Sequence, residues 1–286
     1  MRVHDRWRSR GVLAGLTLAA AATAFQVYAS ASGAAPLSDS TVTIQASDFS
    51  FAAPTFVEGG LVTIDFTNNG PEPHHAQLVR LPDDLTFEQF GQALNGDQRA
   101  ALGLVKQVGG AAAVDAGNAT EVTLNLDPGA YALICVIPSP RDRTPHFLKG
   151  MISPLVVTPA TTMGTPPAVS GEITLKDFSF DMPDVIPTGP TTLHVTNAGP
   201  GNPHEFAVVK LKPGTTADDA RNAIMNPAGP PPFSSVGGFQ SASVGVDGYV
   251  TLNLEPGEYA AICRVTDPNS GLSHVHLGMI KGFRVE

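Results

Sequence analysis

The chain has two cysteines in 286 residues, and each heads a run that closes in the same way. His74, Cys135, His146 and Met151 are answered by His204, Cys263, His274 and Met279. Cysteine and histidine stand eleven positions apart in both sets, and histidine and methionine five. Two imidazoles, a thiolate and a thioether form a soft donor set that suits copper above the other common metals. A lone cysteine is more often a buried thiol acting as a small hydrophobe. Matched spacing in two copies is what points to a pair of ligand cages, with one copper expected in each. A disulfide between Cys135 and Cys263 is the alternative use of paired cysteines in an exported chain. It would have to join two equivalent interior strands.

Neighbouring histidines compete for these places. His75 adjoins His74, but the second copy carries Glu205 at that point, so the repeat matches His74 with His204. His276 stands beside the second set, yet only His274 keeps the five-position step to methionine. His194 falls opposite Ile64 in a strand and reads as structural.

Such a cage needs a scaffold that carries a distant histidine to a cysteine-to-methionine loop. A strand through Tyr131 and Cys135 puts both on one face by the two-residue period, and Tyr259 and Cys263 likewise. Each tyrosine follows a Pro-Gly turn and reads as a corner residue, its hydroxyl tied to nearby backbone. His74 must arrive from another strand, its approach stiffened by Pro71 and Pro73.

The repeat extends well beyond the ligands, as domain duplication rather than a short solenoid unit. Asp48-Phe49-Ser50-Phe51 returns as Asp177-Phe178-Ser179-Phe180, and Thr67-Asn68-Asn69-Gly70-Pro71 as Thr196-Asn197-Ala198-Gly199-Pro200. Strands are predicted near 41–46, 61–67, 76–81, 121–126, 131–137 and 152–157. In the second copy they fall near 172–175, 191–196, 205–211, 250–254, 259–265 and 279–285. Many short strands with turn signals favour an all-β fold: two tandem sandwiches of antiparallel sheets. Each repeat has one helical signal, with Thr86 and Gln89, or Thr216 and Asp219, as N-cap and third helical residue. The Pro- and Gly-rich stretch 226–238 reads as a loop. Residues 159–170 are the most linker-like segment and separate a domain at 40–158 from one at 171–286.

Residues 1–31 read as an export signal, with a basic start, an apolar run and a small-residue cleavage site. An uncleaved anchor is the alternative, though the run is short for a span of about 20 residues. Removing the segment takes away four arginines and one aspartate, so the net charge moves from −9 to −12. That acidity argues against nucleic acid and anionic membrane surfaces and is compatible with a basic protein partner.

The motifs Pro73-His74, Pro128-Gly129-x-Tyr131, Cys135, Pro145-His146 and Gly150-Met151 resemble those of the cupredoxins, the blue copper proteins. So do Pro203-His204, Pro256-Gly257-x-Tyr259, Cys263, His274 and Gly278-Met279. The resemblance covers nearly all of the chain after the signal. It implies two tandem Greek-key β-sandwiches, each with a mononuclear type 1 copper held by two histidines, a cysteine and an axial methionine. It further implies that His146 and His274 are the more exposed ligands and act as electron ports. The ten residues between cysteine and histidine make the loop longer than in small electron-transfer cupredoxins, and closer to that of two-domain copper nitrite reductases. Ile134 and Ile262 stand where those enzymes and the multicopper oxidases place a histidine beside the cysteine.

The expectation is an exported protein, periplasmic or secreted, that passes electrons to a redox partner. Copper storage or delivery would use the same ligands. A two-domain oxidase or nitrite reductase is the third reading. Against it, His75, His194 and His276 are too few for a trinuclear cluster, and the His–Cys pair is missing.

Overall fold

Alternation between apolar and polar residues sets the strands. Val122, Leu124 and Leu126 are buried while Asn125 is exposed, as a half-covered sheet requires. The computed structural model describes residues 40–286; the expected export signal lies outside them. The first repeat runs β1 (Ser40–Ser47), β2 (Ser50–Ala52), β3 (Phe56–Glu58), β4 (Gly60–Asn68) and β5 (His74–Arg80). Helices α1 (Phe87–Gly96) and α2 (Gln98–Gly103) follow, then β6 (Lys106–Val114), β7 (Ala119–Leu126), β8 (Gly129–Ile134) and β9 (Ile152–Thr158). The second repeat gives β10 (Gly171–Lys176), β11 (Ser179–Asp181), β12 (Val185–Ile186), β13 (Gly189–Gly199) and β14 (His204–Leu211). It continues with α3 (Ala217–Met225), β15 (Phe233–Ala242), β16 (Asp247–Leu254), β17 (Gly257–Ile262) and β18 (Ile280–Val285). Residues 159–170 contain neither strand nor helix.

The two sandwiches share both of their sheets. One sheet of eight strands has the order β11-β10-β13-β16-β7-β4-β1-β2, and the other, of ten, β12-β18-β17-β14-β15-β6-β5-β8-β9-β3. Each order reads the same from either end once equivalent strands are matched. At the centre, β6 pairs antiparallel with β15, Ala111 opposite Phe239, and β7 with β16, Val122 opposite Val250. Both pairs unite equivalent residues of the two copies, so a pseudo-twofold axis passes between them. One apolar core, with Phe66, Leu124, Phe206, Phe239 and Leu252, runs through both repeats.

Several expectations need correcting. The sheets are mixed, because β1 lies parallel to β4 and β10 to β13. Neither β6 nor β15 was foreseen, and the second begins at Phe233, inside the stretch expected to be a loop. β6 is Gly- and Ala-rich and β15 Gly- and Ser-rich, compositions of low strand propensity. Both are also almost continuously buried, which erases alternation. Their glycine pairs sit at bulges: a Cβ on Gly110 would lie 2.0 Å from the Ala76 carbonyl oxygen, and one on Gly238 2.0 Å from that of Phe206. The capping boxes form in both repeats. The first repeat adds a helix that was not expected, α2, capped by Asp97, whose Oδ1 accepts from the Arg99 and Ala100 amides.

Candidate metal centres

The first histidine of each set is delivered by the repeated Thr-Asn motif. Asn68 is fully buried; its Nδ2 donates to the carbonyls of Glu72 (2.8 Å) and Val114 (3.0 Å), and its Oδ1 accepts from the Gly70 amide (2.9 Å). Asn197 repeats this with Asn202 (2.9 Å), Ala242 (2.8 Å) and Gly199 (2.9 Å). Each asparagine thus staples the turn before the histidine to the central strand, β6 or β15. This motif was visible as a repeat, but nothing in its composition gave it that role.

The other ligands are placed by the end of β8 or β17 and the loop that follows. Cys135 and Cys263 lie one residue past their strands. Tyr131 and Tyr259 anchor those strands as corner residues, donating to the Asp127 and Glu255 carbonyls at 2.7 and 2.8 Å. The loop then closes on itself. The Cys135 amide donates to the Met151 carbonyl, the Met151 amide to that of His146, and the His146 amide to that of Ile137. Cys263, Met279, His274 and Val265 repeat the same three bonds. Backbone alone therefore holds cysteine, histidine and methionine in register.

Six of the eight expected ligands converge as side chains. His74, Cys135 and His146 form one tight cluster, and His204, Cys263 and His274 the other, all fully buried. Nδ1 of His74 faces Nδ1 of His146 at 3.0 Å, and the Cys135 Sγ lies 3.4 Å from the latter. In the second cluster the separations are 3.0 and 3.3 Å. Met151 and Met279 are fully buried and tied to the clusters through their backbones.

Carboxylates set the tautomers. Nε2 of His74 donates to Asp48 (2.8 Å), that of His204 to Asp177 (2.9 Å), and that of His146 to Glu72 (3.0 Å). An ionised carboxylate only accepts, so Nε2 holds the proton and Nδ1 keeps its lone pair. In the first cluster two lone pairs and a sulfur then point at one another with no hydrogen between the nitrogens. Burial, and next the facing ring of His74, pulls His146 below its ordinary value; burial and His204 take His274 down to about 4. Burial also pushes the Cys135 thiol up to about 12, and Cys263 well above its ordinary value. Neutral imidazoles around a sulfur that ionises only beside positive charge fit a bound cation. The donor set, two nitrogens and a thiolate with a methionine on the same loop, fits copper.

The Asp-Phe-Ser-Phe repeat supplies this inner support. Its aspartate holds the first histidine and its phenylalanine covers the second, with Phe49 4.9 Å from the His146 ring and Phe178 5.1 Å from that of His274. The expectation that His146 and His274 are the more exposed ligands is therefore wrong. Both residues have 0 % exposure, as do His74 and His204, with these phenylalanines against the second-histidine rings and, in the first repeat, Glu72 bonded to His146 and itself paired with Arg141.

The competing histidines lie elsewhere. His75 accepts from the Val136 amide through Nε2 (2.8 Å), as Glu205 Oε1 does from that of Arg264. Burial takes His75 down to about 3. Both residues border a cavity of about 470 Å³ between the repeats. His276 is held by Ser273, and His194 bridges Glu172 on β10 and Asp247 on β16. Among the described residues, no helix is long and apolar enough to cross a membrane.

No family model and no curated protein matches the chain. Solved structures do. Auracyanin B is 27% identical over 42% of this chain and 89% of its own, at a TM-score of 0.30. Auracyanin A, a "blue" copper protein from Chloroflexus aurantiacus, is 22% identical over 42% of this chain and all of its own, at 0.29. A copper nitrite reductase from Nitrosomonas europaea is 14% identical over 87% of this chain and 94% of its own, at 0.26. The geometry of the chain itself shows two β-sandwiches in one polypeptide, each with a buried pair of histidines and a cysteine, the fold and donor set that the cupredoxin resemblance implies.

Proposed function

We propose that this is an exported electron-transfer protein with one type 1 copper in each domain. His74, Cys135, His146 and Met151 hold the first, and His204, Cys263, His274 and Met279 the second. The observation that carries the reading is the paired convergence of two Nδ1 atoms and a sulfur inside a rigid sandwich. When bound, copper supplies a one-electron couple, and its bond to the thiolate supplies an intense visible absorption. The protein supplies a donor set already in place. Carboxylates fix three of the four ring tautomers, backbone bonds close the loop, and burial excludes water, so little need rearrange between oxidation states. The net negative charge favours a redox partner with a basic face.

Copper storage or delivery is the second reading, favoured by the complete burial of all four histidine ligands. Fast electron self-exchange supports the first reading; slow exchange with very tight binding of cuprous ion supports the second. The founding test is optical. The chain loaded with copper(II) is expected to show an intense blue or green band, halved in Cys135→Ser or Cys263→Ser and lost in the double variant. Only weak, ordinary copper(II) spectra would overturn the assignment.

A further inference from the structure

The two centres match in their first histidine and differ in their second. Asp48 and Asp177 accept from the first histidines at 2.8 and 2.9 Å, and Asp48 also lies 3.7 Å from the Arg141 guanidinium. The second histidine of domain 1 donates from Nε2 to Glu72, whose side chain is only 4 % exposed. Glu72 is itself held by Ser139 Oγ (3.1 Å) and Arg141 Nε (3.0 Å). Two residues before the first histidine, where domain 1 has Glu72, domain 2 has Asn202. There the His274 Nε2 and the Asn202 Oδ1 are both buried without a protein partner. Arg141 is replaced by Asn269, and Ser139 by Asp267. The Asp267 carboxylate is engaged by Ser270 and Asn269 of its own loop, not by His274. Glu205, the remaining acid near Cys263, accepts from the Arg264 amide and makes no bond to a ligand ring.

A carboxylate that accepts from the distal N–H of a ligating imidazole raises the basicity of that ligand and favours the more highly charged metal. Domain 1 has two such bonds and domain 2 has one. Building on the copper assignment above, we infer that the centres are electrically unequal, with domain 1 at the lower reduction potential and Glu72 as the residue that sets the difference. An electron given to the doubly oxidised protein by a one-electron reductant then settles in the domain 2 quartet. The reductant loses one electron, that site gains it, and no proton need move.

The test is a spectroelectrochemical titration of the copper-loaded chain. Cys135→Ser and Cys263→Ser, each leaving one centre, assign the two waves. The lower wave is expected to belong to domain 1. Removing an outer partner of a ligating histidine typically weakens metal binding at least tenfold. Glu72→Gln is therefore expected to shift the domain 1 oxidation equilibrium about tenfold toward the reduced form, which is about 59 mV upward for one electron. Domain 2 should not move. Asn202→Glu is the converse variant, expected to lower domain 2 alone, and it decides the matter if Glu72→Gln fails to load. Equal potentials, the reverse order, or a shift common to both centres overturns the inference while the blue band stands. Absence of the band overturns the copper assignment itself, and the inference with it.

Discussion

Replacing Asn197 by alanine tests whether the Thr-Asn repeat builds the site or merely accompanies it. The side chain is fully buried and makes three hydrogen bonds, to the Asn202 and Ala242 carbonyls and from the Gly199 amide. At about 1 kcal/mol net for each, their loss costs roughly 3 kcal/mol, and more where the orphaned groups stay dry. A water drawn into the polar hole would recover part of this. The expected loss is thus roughly 2–4 kcal/mol, a large share of a stability that rarely exceeds about 15 kcal/mol. It would be read as a lower denaturation midpoint at unchanged slope. Asn68→Ala should cost about the same, because its three bonds are the same. The control is Asn69→Ala, one residue along, where the side chain is exposed and a change within about 0.5 kcal/mol is expected. If Asn197→Ala cost no more than that control, the asparagine would not be the staple described.

Gly238→Ala should be among the most damaging small substitutions, at about 4 kcal/mol, from strain at φ +122° plus a Cβ 2.0 Å from the Phe206 carbonyl oxygen. Gly117→Ala, at φ +78° with no atom within 4 Å of the added carbon, isolates the strain and should cost about 1 kcal/mol. Equal melting temperatures for the two variants would refute the clash. His194 carries a pH-dependent contribution. Burial lowers its affinity for a proton, but the hydrogen bonds to Asp247 and Glu172 outweigh this and leave it above 6.5. A raised histidine stabilises fully below its unfolded value and loses that contribution as pH rises through its folded value. The melting-temperature gap between the native chain and His194→Gln should therefore be wide at pH 6 and narrow as the pH rises. A gap that stays constant counts against the bridge.

The ligand sets were legible because metal chemistry restricts residue types and a loop restricts spacing. Cys135, His146 and Met151 lie on one such loop, and duplication singled out His74 over His75. The tyrosine corners were legible for a similar reason, a Pro-Gly turn feeding a strand. The supporting acids were not. Asp48 lies 26 residues before the histidine it holds, and Glu72 reaches across to a ring 74 residues away. No local period marks such a pair. The burial of His146 was hidden by the same fact, since its cover comes from Phe49 and Glu72, both distant in the chain. Strands β6 and β15 escaped notice because burial on both faces removes the alternation by which strands are recognised, and their glycines, with alanines in β6 and serines in β15, supply no β-branched signal in its place.

Those two strands also explain what duplication achieves here. Pairing Ala111 with Phe239 and Val122 with Val250 is the self-complementary contact of a twofold dimer, in which equivalent surfaces meet. In a dimer of identical chains every residue near one centre must recur at the other. Fusion lifts that constraint while the shared sheets and continuous core keep the two centres in one body. The positions that pair across the axis remain alike in backbone, down to the glycine bulges at Gly110 and Gly238. The positions around the second histidine have diverged: Glu72 against Asn202, Arg141 against Asn269, Ser139 against Asp267. Divergence at side chains beside the second histidine, on sheets whose strand order is held symmetric, is how a chain would tune two like centres apart without disturbing either cage.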